Sequence, residues 1–239
     1  MRPPSGPALS PLRLLGVLAL GAWASLFWFL LLSGRTSLYL SARTAWVIPV
    51  GVALLTAGVL GTLGSLRTRT PERVAARDAL GIGLLVVPVI VVLALPPASL
   101  GSFAAARRST ITGAGFASST QEISSGRLSL VDVAAALRSR AGMRSLGNRA
   151  GSDVSFVGFV TRGPETGADE FVLTRFLISC CVADALSVQA RVVDVPPGEF
   201  HPDDWVRVEG QVYPLGREVI VAASRVSHVD KPERPYLSP

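Results

Sequence analysis

The sequence predicts a membrane protein of the α plus β class, with three N-terminal transmembrane helices followed by a small OB-like five-stranded β-barrel domain. Composition is the first observation, because 49% of the 239 residues are hydrophobic and only 17% are charged, against about 25% in a typical soluble domain. The second is that long uncharged runs fill most of residues 1–97, the predicted membrane domain. The third is the alternation of apolar and polar residues from residue 153 onward, which is typical of strands.

Three apolar runs, at residues 14–32, 45–66 and 79–95, contain no charged residue. A bilayer core roughly 30 Å thick requires about 20 helical residues, so each run is predicted to cross a membrane. A cleaved signal peptide is the alternative for the first run. Because that run stays apolar over residues 25–32, it is too long for a signal peptide, and we predict a retained helix.

The charge distribution predicts the orientation of these helices. Residues 1–109 contain ten arginines and two acidic residues, whereas residues 110–239 have a net charge of −2. Basicity in the apolar half indicates membrane topology rather than a nucleic-acid-binding face. The positive-inside rule places the N-terminus in the cytoplasm and the chain after Pro97 outside the plasma membrane. The arginines on the predicted inner side are Arg2, Arg13, Arg67, Arg69, Arg73 and Arg77, and those of the first outer loop are Arg35 and Arg43.

No ionisable residue lies inside a predicted membrane helix. Proton relays and ion pathways require such residues, so we do not expect this chain to transport a solute alone. Small residues along one side of the second helix, among them Gly51, Gly58 and Gly61, are suited to close helix contact, or simply reflect the frequency of glycine in membrane helices.

The second half of the chain is predicted to be a linker, residues 98–124, and an extracytoplasmic domain, residues 125–239. Ser129 and Asp132 resemble a capping box, which predicts a short amphipathic helix ending near Gly142. Turns rich in proline and glycine separate five strands that follow this helix. The predicted strands are residues 154–160, 170–178, 186–195, 206–212 and 218–229.

Closure into a barrel over residues 153–229 would leave none of these short strands with an exposed edge. Gly158 and Gly210 occupy matching places in the first and fourth strands, and a glycine inside a strand is typical of a barrel corner. The aromatic residues of the strands are predicted to fill the barrel core. Single-strand binders combine a basic groove with exposed aromatic residues on which bases stack. Because this domain is net acidic and its aromatic residues are predicted to be buried, we expect no nucleic-acid partner. These aromatic residues are Phe156, Phe159, Phe171, Phe176, Trp205 and Tyr213.

Both cysteines of the chain are adjacent, between the second and third predicted strands. If Cys180 to Ala185 forms a helical turn, Cys180, Cys181 and Asp184 converge through their i,i+3 and i,i+4 spacing. Two thiolates and a carboxylate are suitable ligands for zinc or another soft metal. Three alternatives remain open: packing of the buried thiols, a redox or thiol-exchange role, and a strained vicinal disulfide.

Catalytic motifs are absent from the sequence. It contains no glycine-rich phosphate loop, no metalloprotease or serine-hydrolase motif, and no paired carboxylates at a useful spacing. Asp203 and Asp204 lack the ligand series of a calcium loop and are predicted to lie in a solvated loop. We therefore do not expect an enzyme.

The run Cys180-Cys181-x-Ala183-Asp184-Ala185, with a Gly158-Phe159-Val160 run before it and Trp205-Val-x-Val-x-Gly210 after it, resembles a bacterial membrane family described as permease subunits. Ser33-Gly34 and Tyr39 are similar to the first loop of that family. The resemblance implies a small membrane protein that acts beside a separate multispan permease and, for some members of the family, a role in metal-related transport. This chain lacks the His-rich loop that such relatives can carry.

Three hypotheses about function follow. The first is an accessory subunit in the lipid bilayer that presents its extracytoplasmic barrel to a multispan permease or to the solute. The second is a stand-alone thiol-redox or metal-sensing membrane protein that uses Cys180 and Cys181. The third is an envelope structural or adhesion protein.

Overall fold

A computed structural model describes residues 8–9, 11–65, 67–68, 75–95, 99–107, 128–137, 139–215 and 218–238. The chain divides into two compact units. The membrane unit comprises residues 1–36 and 45–98, and the barrel unit comprises residues 37–44 and 99–239. The loop between the first two membrane helices is thus part of the barrel unit. Residues 108–124 of the predicted linker lie outside the described residues.

Three helices of the membrane unit are long and apolar enough to cross a bilayer, as predicted. They are α1 (Pro11–Leu32), α2 (Val47–Gly64) and α3 (Ala76–Ala94). The third helix begins before Asp78 rather than after it, because the Asp78 carboxylate accepts a hydrogen bond from the Ala75 amide (3.2 Å) and so caps the first turn. A short antiparallel pair joins β1 (Ala8–Leu9) to β2 (Arg67–Thr68).

Helix α1 packs against both α2 and α3. The Trp28 indole donates to the Thr56 hydroxyl (3.2 Å) on α2, and the Trp23 indole donates to the Leu85 carbonyl (3.0 Å) on α3. On α2, Gly51 leaves room for the ring of Phe27, which a Cβ at that position would strike. Many large apolar side chains of the three helices remain exposed, which suits contact with lipid or with another membrane protein.

Besides loop 37–44, the barrel unit contains α4 (Ser102–Ala105) and a pair of short helices, α5 (Leu130–Ala136) and α6 (Arg140–Gly147), before its strands. The predicted capping box forms, because Ser129 and Asp132 exchange side-chain to backbone hydrogen bonds. The prediction of one helix ending near Gly142 is wrong. Ser139 caps a second helix, and Gly142 lies inside it, where a Cβ would meet the Ala136 backbone at 2.8 Å.

Five strands form a closed barrel, which confirms the predicted architecture. Around the barrel the order is β3, β4, β5, β7, β6 and back to β3. All neighbours are antiparallel except β5 and β7, which are parallel. This order makes the domain OB-like. The strands are β3 (Asp153–Thr161), β4 (Phe171–Leu177), β5 (Leu186–Val193), β6 (Trp205–Leu215) and β7 (Glu218–His228).

The buried apolar side chains of the strands form two separate clusters. Phe156 and Phe171 lie in the main barrel core together with residues of α5 and α6. Phe159 and Phe176, predicted to fill the same core, instead form a second cluster with Ala105 of α4. Alternation along β3 puts Phe156 and Phe159 on opposite faces of the strand, so the second cluster lies on the outer face of the barrel. Of the other two aromatic residues, Trp205 packs against the second cluster and Tyr213 is exposed.

Gly158 and Gly210, predicted to mark barrel corners, both lie where another strand approaches closely. A Cβ on Gly158 would lie 2.7 Å from the Thr174 carbonyl oxygen, and one on Gly210 would strike the Ala222 carbonyl. The pairing of β6 with β7 also shifts register between Glu209 and Gly210. The two glycines therefore permit the tight curvature that closes the barrel.

The C-terminal segment is held against the end of β4. The Leu237 amide donates to the Phe176 carbonyl (2.8 Å), and the half-buried Arg175 guanidinium donates to the carbonyls of Arg234 (2.8 Å) and Pro235 (3.1 Å). Burial lowers the pKa of this guanidinium from its ordinary value. The Arg175 guanidinium forms no salt bridge among the described residues. Backbone carbonyls accept its hydrogen bonds instead.

Candidate functional site

The cysteine turn, residues 178–185, connects β4 to β5. Its backbone is extended at Cys181 (φ −152°, ψ 168°), and a single 3₁₀ turn follows at Val182–Asp184. The helical turn predicted from Cys180 onward therefore begins two residues later. The Asp184 side chain reaches back to the start of the turn, where it accepts hydrogen bonds from the Ser179 and Cys180 amides.

Asp184 closes the cysteine turn through its carboxylate. One oxygen accepts from the Ser179 amide (3.0 Å) and the other from the Cys180 amide (2.8 Å). Burial by itself raises the pKa of Asp184, but hydrogen bonds from the Cys180 thiol and from the backbone amides outweigh it and hold the pKa below its ordinary value. Asp184 is thus ionised at neutral pH and organises the backbone that carries both thiols.

The two thiols are free and close together. Cys180 is exposed, Cys181 is half-buried, and their sulfur atoms are 3.8 Å apart. Hydrogen bonding to Asp184, and then to Cys181, raises the pKa of the Cys180 thiol to about 11. Cys180 is therefore a protonated thiol at neutral pH, which makes it a weak nucleophile for thiol exchange.

The sulfur spacing matches one edge of a tetrahedral metal site. Two thiolates at about 2.3 Å from a tetrahedral Zn²⁺ have sulfur atoms about 3.8 Å apart. Asp184 does not complete such a site in this arrangement. Accordingly, no group of three or more His, Cys, Asp or Glu side chains within the described residues is arranged to hold a metal ion. The three-ligand site at Cys180, Cys181 and Asp184 stays a prediction.

Loop 37–44, which connects α1 to α2, is attached to the cysteine turn through the backbone. Leu40 forms an antiparallel bridge with Cys181. The Val182 amide donates to the Tyr39 carbonyl (2.8 Å), and the Ser41 amide donates to the Cys180 carbonyl (3.1 Å). These bonds give the turn a β-like partner from a segment about 140 residues earlier in the sequence.

Two hydroxyl groups of loop 37–44 strengthen this attachment. The Ser41 hydroxyl donates to the Ser179 carbonyl (2.7 Å), and the Thr44 hydroxyl donates to the Cys180 carbonyl (2.5 Å). Ser41 is only 1% exposed, so its hydroxyl lies inside the attachment. No local pattern in the sequence connects Ser41 or Thr44 to the cysteines, so neither residue was predictable as a partner of the turn.

Asp203 and Asp204, predicted to lie in a solvated loop, both have structural partners. Asp203 accepts hydrogen bonds from the Ser102 amide (2.6 Å) and hydroxyl (2.7 Å), and so caps α4. Asp204 accepts from the His201 amide (2.8 Å) within its own loop. These carboxylates fix local backbone, as capping carboxylates generally do.

Comparison with known families matches the barrel unit. Residues 143–239 match the model of the DUF1980 C-terminal domain. This match, to an uncharacterised bacterial family, begins within α6 and includes all five barrel strands and the cysteine turn, whereas the membrane helices lie outside it. No curated protein matched the sequence.

Proposed function

We propose that this protein is a non-enzymatic membrane accessory subunit that presents an extracytoplasmic barrel to a separate multispan permease. The observation that carries the proposal is that loop 37–44, which lies between α1 and α2 in the sequence, belongs to the barrel unit and pairs with its cysteine turn. The exposed apolar surfaces of the three helices suit contact with another membrane protein. Their uncharged interiors favour an accessory role over transport by this chain alone.

Loop 37–44 also supports a three-span topology. It joins two membrane helices, and its residues belong to the barrel unit. The loop and the barrel therefore lie on the same side of the membrane, which requires α3 to cross as well. Together with the arginine distribution, this favours a cytoplasmic N-terminus and an extracytoplasmic barrel.

We expect an impermeant thiol reagent to label the barrel in intact cells. In a chain with Cys180 and Cys181 replaced by serine, Asn148→Cys places a thiol at an exposed site after α6, and Glu72→Cys places one in the second loop. Asn148→Cys should react before lysis and Glu72→Cys only after it. The reverse result would invert the topology.

The partner proposal predicts that the full chain, extracted with a mild detergent after crosslinking in the membrane, is recovered with a larger multispan protein. Size-exclusion chromatography with mass spectrometry of the crosslinked species measures this directly. Recovery of the chain only as a monomer, or only with copies of itself, would contradict an accessory role.

The cysteine turn supports a second, narrower candidate function, the binding of a soft metal ion such as Zn²⁺. The 3.8 Å separation of the sulfur atoms is the observation that favours it over thiol redox chemistry, and the raised pKa of Cys180 also disfavours thiol exchange. A complete site requires at least one further ligand besides the two sulfur atoms, supplied by a rearranged Asp184, by the solute or by the partner. A purified full chain that binds no Zn²⁺ would overturn this candidate.

A further inference from the structure

Helix α4 directs one large apolar side chain away from the barrel. Ala105 is buried in the second cluster, and Leu100 and Ala104 pack against the same cluster. Phe103, in contrast, is 73% exposed, and no other large hydrophobic side chain among the described residues of the barrel unit is as exposed. A phenyl ring in water forgoes the free energy that its burial would contribute, so a surface that covers Phe103 would stabilise the protein.

Polar contacts fix α4 in this orientation. The Asp203 carboxylate accepts hydrogen bonds from the Ser102 amide (2.6 Å) and hydroxyl (2.7 Å). The Leu100 amide donates to the Tyr236 hydroxyl (3.0 Å). These contacts come directly before Phe103 in the sequence, and together with the buried side of the helix they hold α4 in place. The Phe103 ring is therefore left for a partner outside the barrel unit.

Arg107 lies on the exposed ring. Its guanidinium carbon is 3.7 Å from the centroid of the Phe103 ring, which is a cation–π contact. Arg107 is itself exposed and forms no salt bridge among the described residues, so its charge is available to an anion. A phospholipid surface offers both partners at one level, because its phosphates bind a guanidinium and the adjoining acyl boundary takes an aromatic ring.

The chain keeps this pair close to the bilayer. Helix α3 ends at Ala94 and Phe103 follows nine residues later, which limits its distance from the end of the span to about 30 Å. A second arginine–aromatic pair occurs at the end of α1, where the Arg35 guanidinium carbon lies 5.2 Å from the centroid of the Phe29 ring. In a three-span chain, α1 and α3 end on the same side of the membrane. The same pair of side chains thus follows both helices that end there.

We propose that Phe103 and Arg107 are a lipid-contact site through which α4 rests on the surface of the bilayer. The Phe103 ring enters the boundary between headgroups and acyl chains, and the Arg107 guanidinium binds phospholipid phosphates. An exposed aromatic ring beside an exposed cation is the composition that binds this boundary, which favours a phospholipid over a protein as the occupant. The site requires neither a permease nor a particular orientation of the chain, so it stands apart from the function proposed above.

Spin labels on the purified full chain, in nanodiscs of phosphatidylcholine and phosphatidylglycerol, test the site. Both native cysteines are replaced by serine. Phe103→Cys then carries a nitroxide at the proposed contact, and Asn148→Cys carries one at an exposed site after α6. Oxygen concentrates in lipid and a neutral nickel chelate in water, so their collision rates with each label report its surroundings. The ratio of oxygen to nickel collisions should be several-fold higher at residue 103 than at residue 148.

Arg107→Gln tests the contribution of the charge with the same label at residue 103. One basic residue at an anionic surface changes occupancy roughly fivefold, so the ratio should fall toward that of residue 148. Arg140→Gln is the matched control, because Arg140 is an exposed arginine on α6 and should leave the ratio unchanged.

The outcomes separate lipid from the other occupants of this surface. An unchanged ratio in Arg107→Gln would overturn the phosphate contact. A label at residue 103 that meets the nickel chelate as often as the label at residue 148 would overturn the whole site. Exclusion of both oxygen and nickel from residue 103 would also overturn it, because that result would show that protein covers the ring.

Discussion

Replacement of Gly210 by alanine is expected to destabilise the barrel by about 3 kcal/mol or more, enough to prevent folding of a marginally stable domain. A Cβ at Gly210 would strike the backbone carbonyl of Ala222 on the neighbouring strand. A backbone group cannot move aside as a flexible side chain can, so β6 and β7 have to separate at this point. Thermal unfolding of the full chain in detergent, followed by hydrogen exchange in the barrel strands, measures the loss.

Gly147→Ala is the matched control for that substitution. A Cβ there has no atom within 4 Å, and the position lies at the end of helix α6, where alanine is favoured over glycine. We expect stability to be unchanged or raised by up to about 1 kcal/mol. If the two substitutions had equal effects, the close approach of β6 and β7 at Gly210 would not be what requires glycine there.

The barrel was predictable because its signals are local. Alternation and the flanking turn residues placed the start of β5 at Leu186 and that of β7 at Glu218, as the structure has them. The paired glycines Gly158 and Gly210 indicated barrel corners and so supported a closed barrel. By contrast, the division into α5 and α6 depends on the second cap at Ser139, which the apolar pattern does not reveal.

Contacts between distant segments were not predictable from periodicity. Phe159 is buried on the outer face of β3 because α4 covers it, and alternation reveals which face a residue occupies but not what covers that face. The attachment of loop 37–44 to the cysteine turn is of the same kind. Its donors and acceptors are ordinary serine, threonine and backbone groups, so nothing in the sequence identifies their partners.

For the candidate site, the proximity of Asp184 to Cys180 was predictable, whereas the three-ligand site at Cys180, Cys181 and Asp184 stays a prediction. Adjacent cysteines followed by Asp184 indicated that the three side chains would meet, and hydrogen bonds bring Asp184 to Cys180. Helical spacing gave the wrong reason. The carboxylate approaches the thiol because it first satisfies two backbone amides, which a spacing argument does not consider.

For the metal site, we expect the purified full chain to bind about one equivalent of Zn²⁺ at neutral pH. Cys180→Ser and Cys181→Ser should each abolish measurable binding, because each removes one of the two sulfur atoms that set the geometry. Asp184→Asn should weaken binding, since it removes a charged ligand. Asp204→Asn is the matched control, because Asp204 contacts the His201 amide in a different loop and should leave the affinity unchanged.

The pH dependence of Zn²⁺ binding gives an independent check on the thiols as ligands. The Cys180 thiol, with its pKa raised to about 11, is protonated at pH 7, so Zn²⁺ has to displace its proton on binding. The affinity should therefore fall as the pH falls, by roughly tenfold per pH unit for each proton released, and acidification should free the metal. Isothermal titration in buffers of different ionisation enthalpy counts those protons. Binding that releases no proton, or that survives in both cysteine variants, would show that the metal is held elsewhere on the chain.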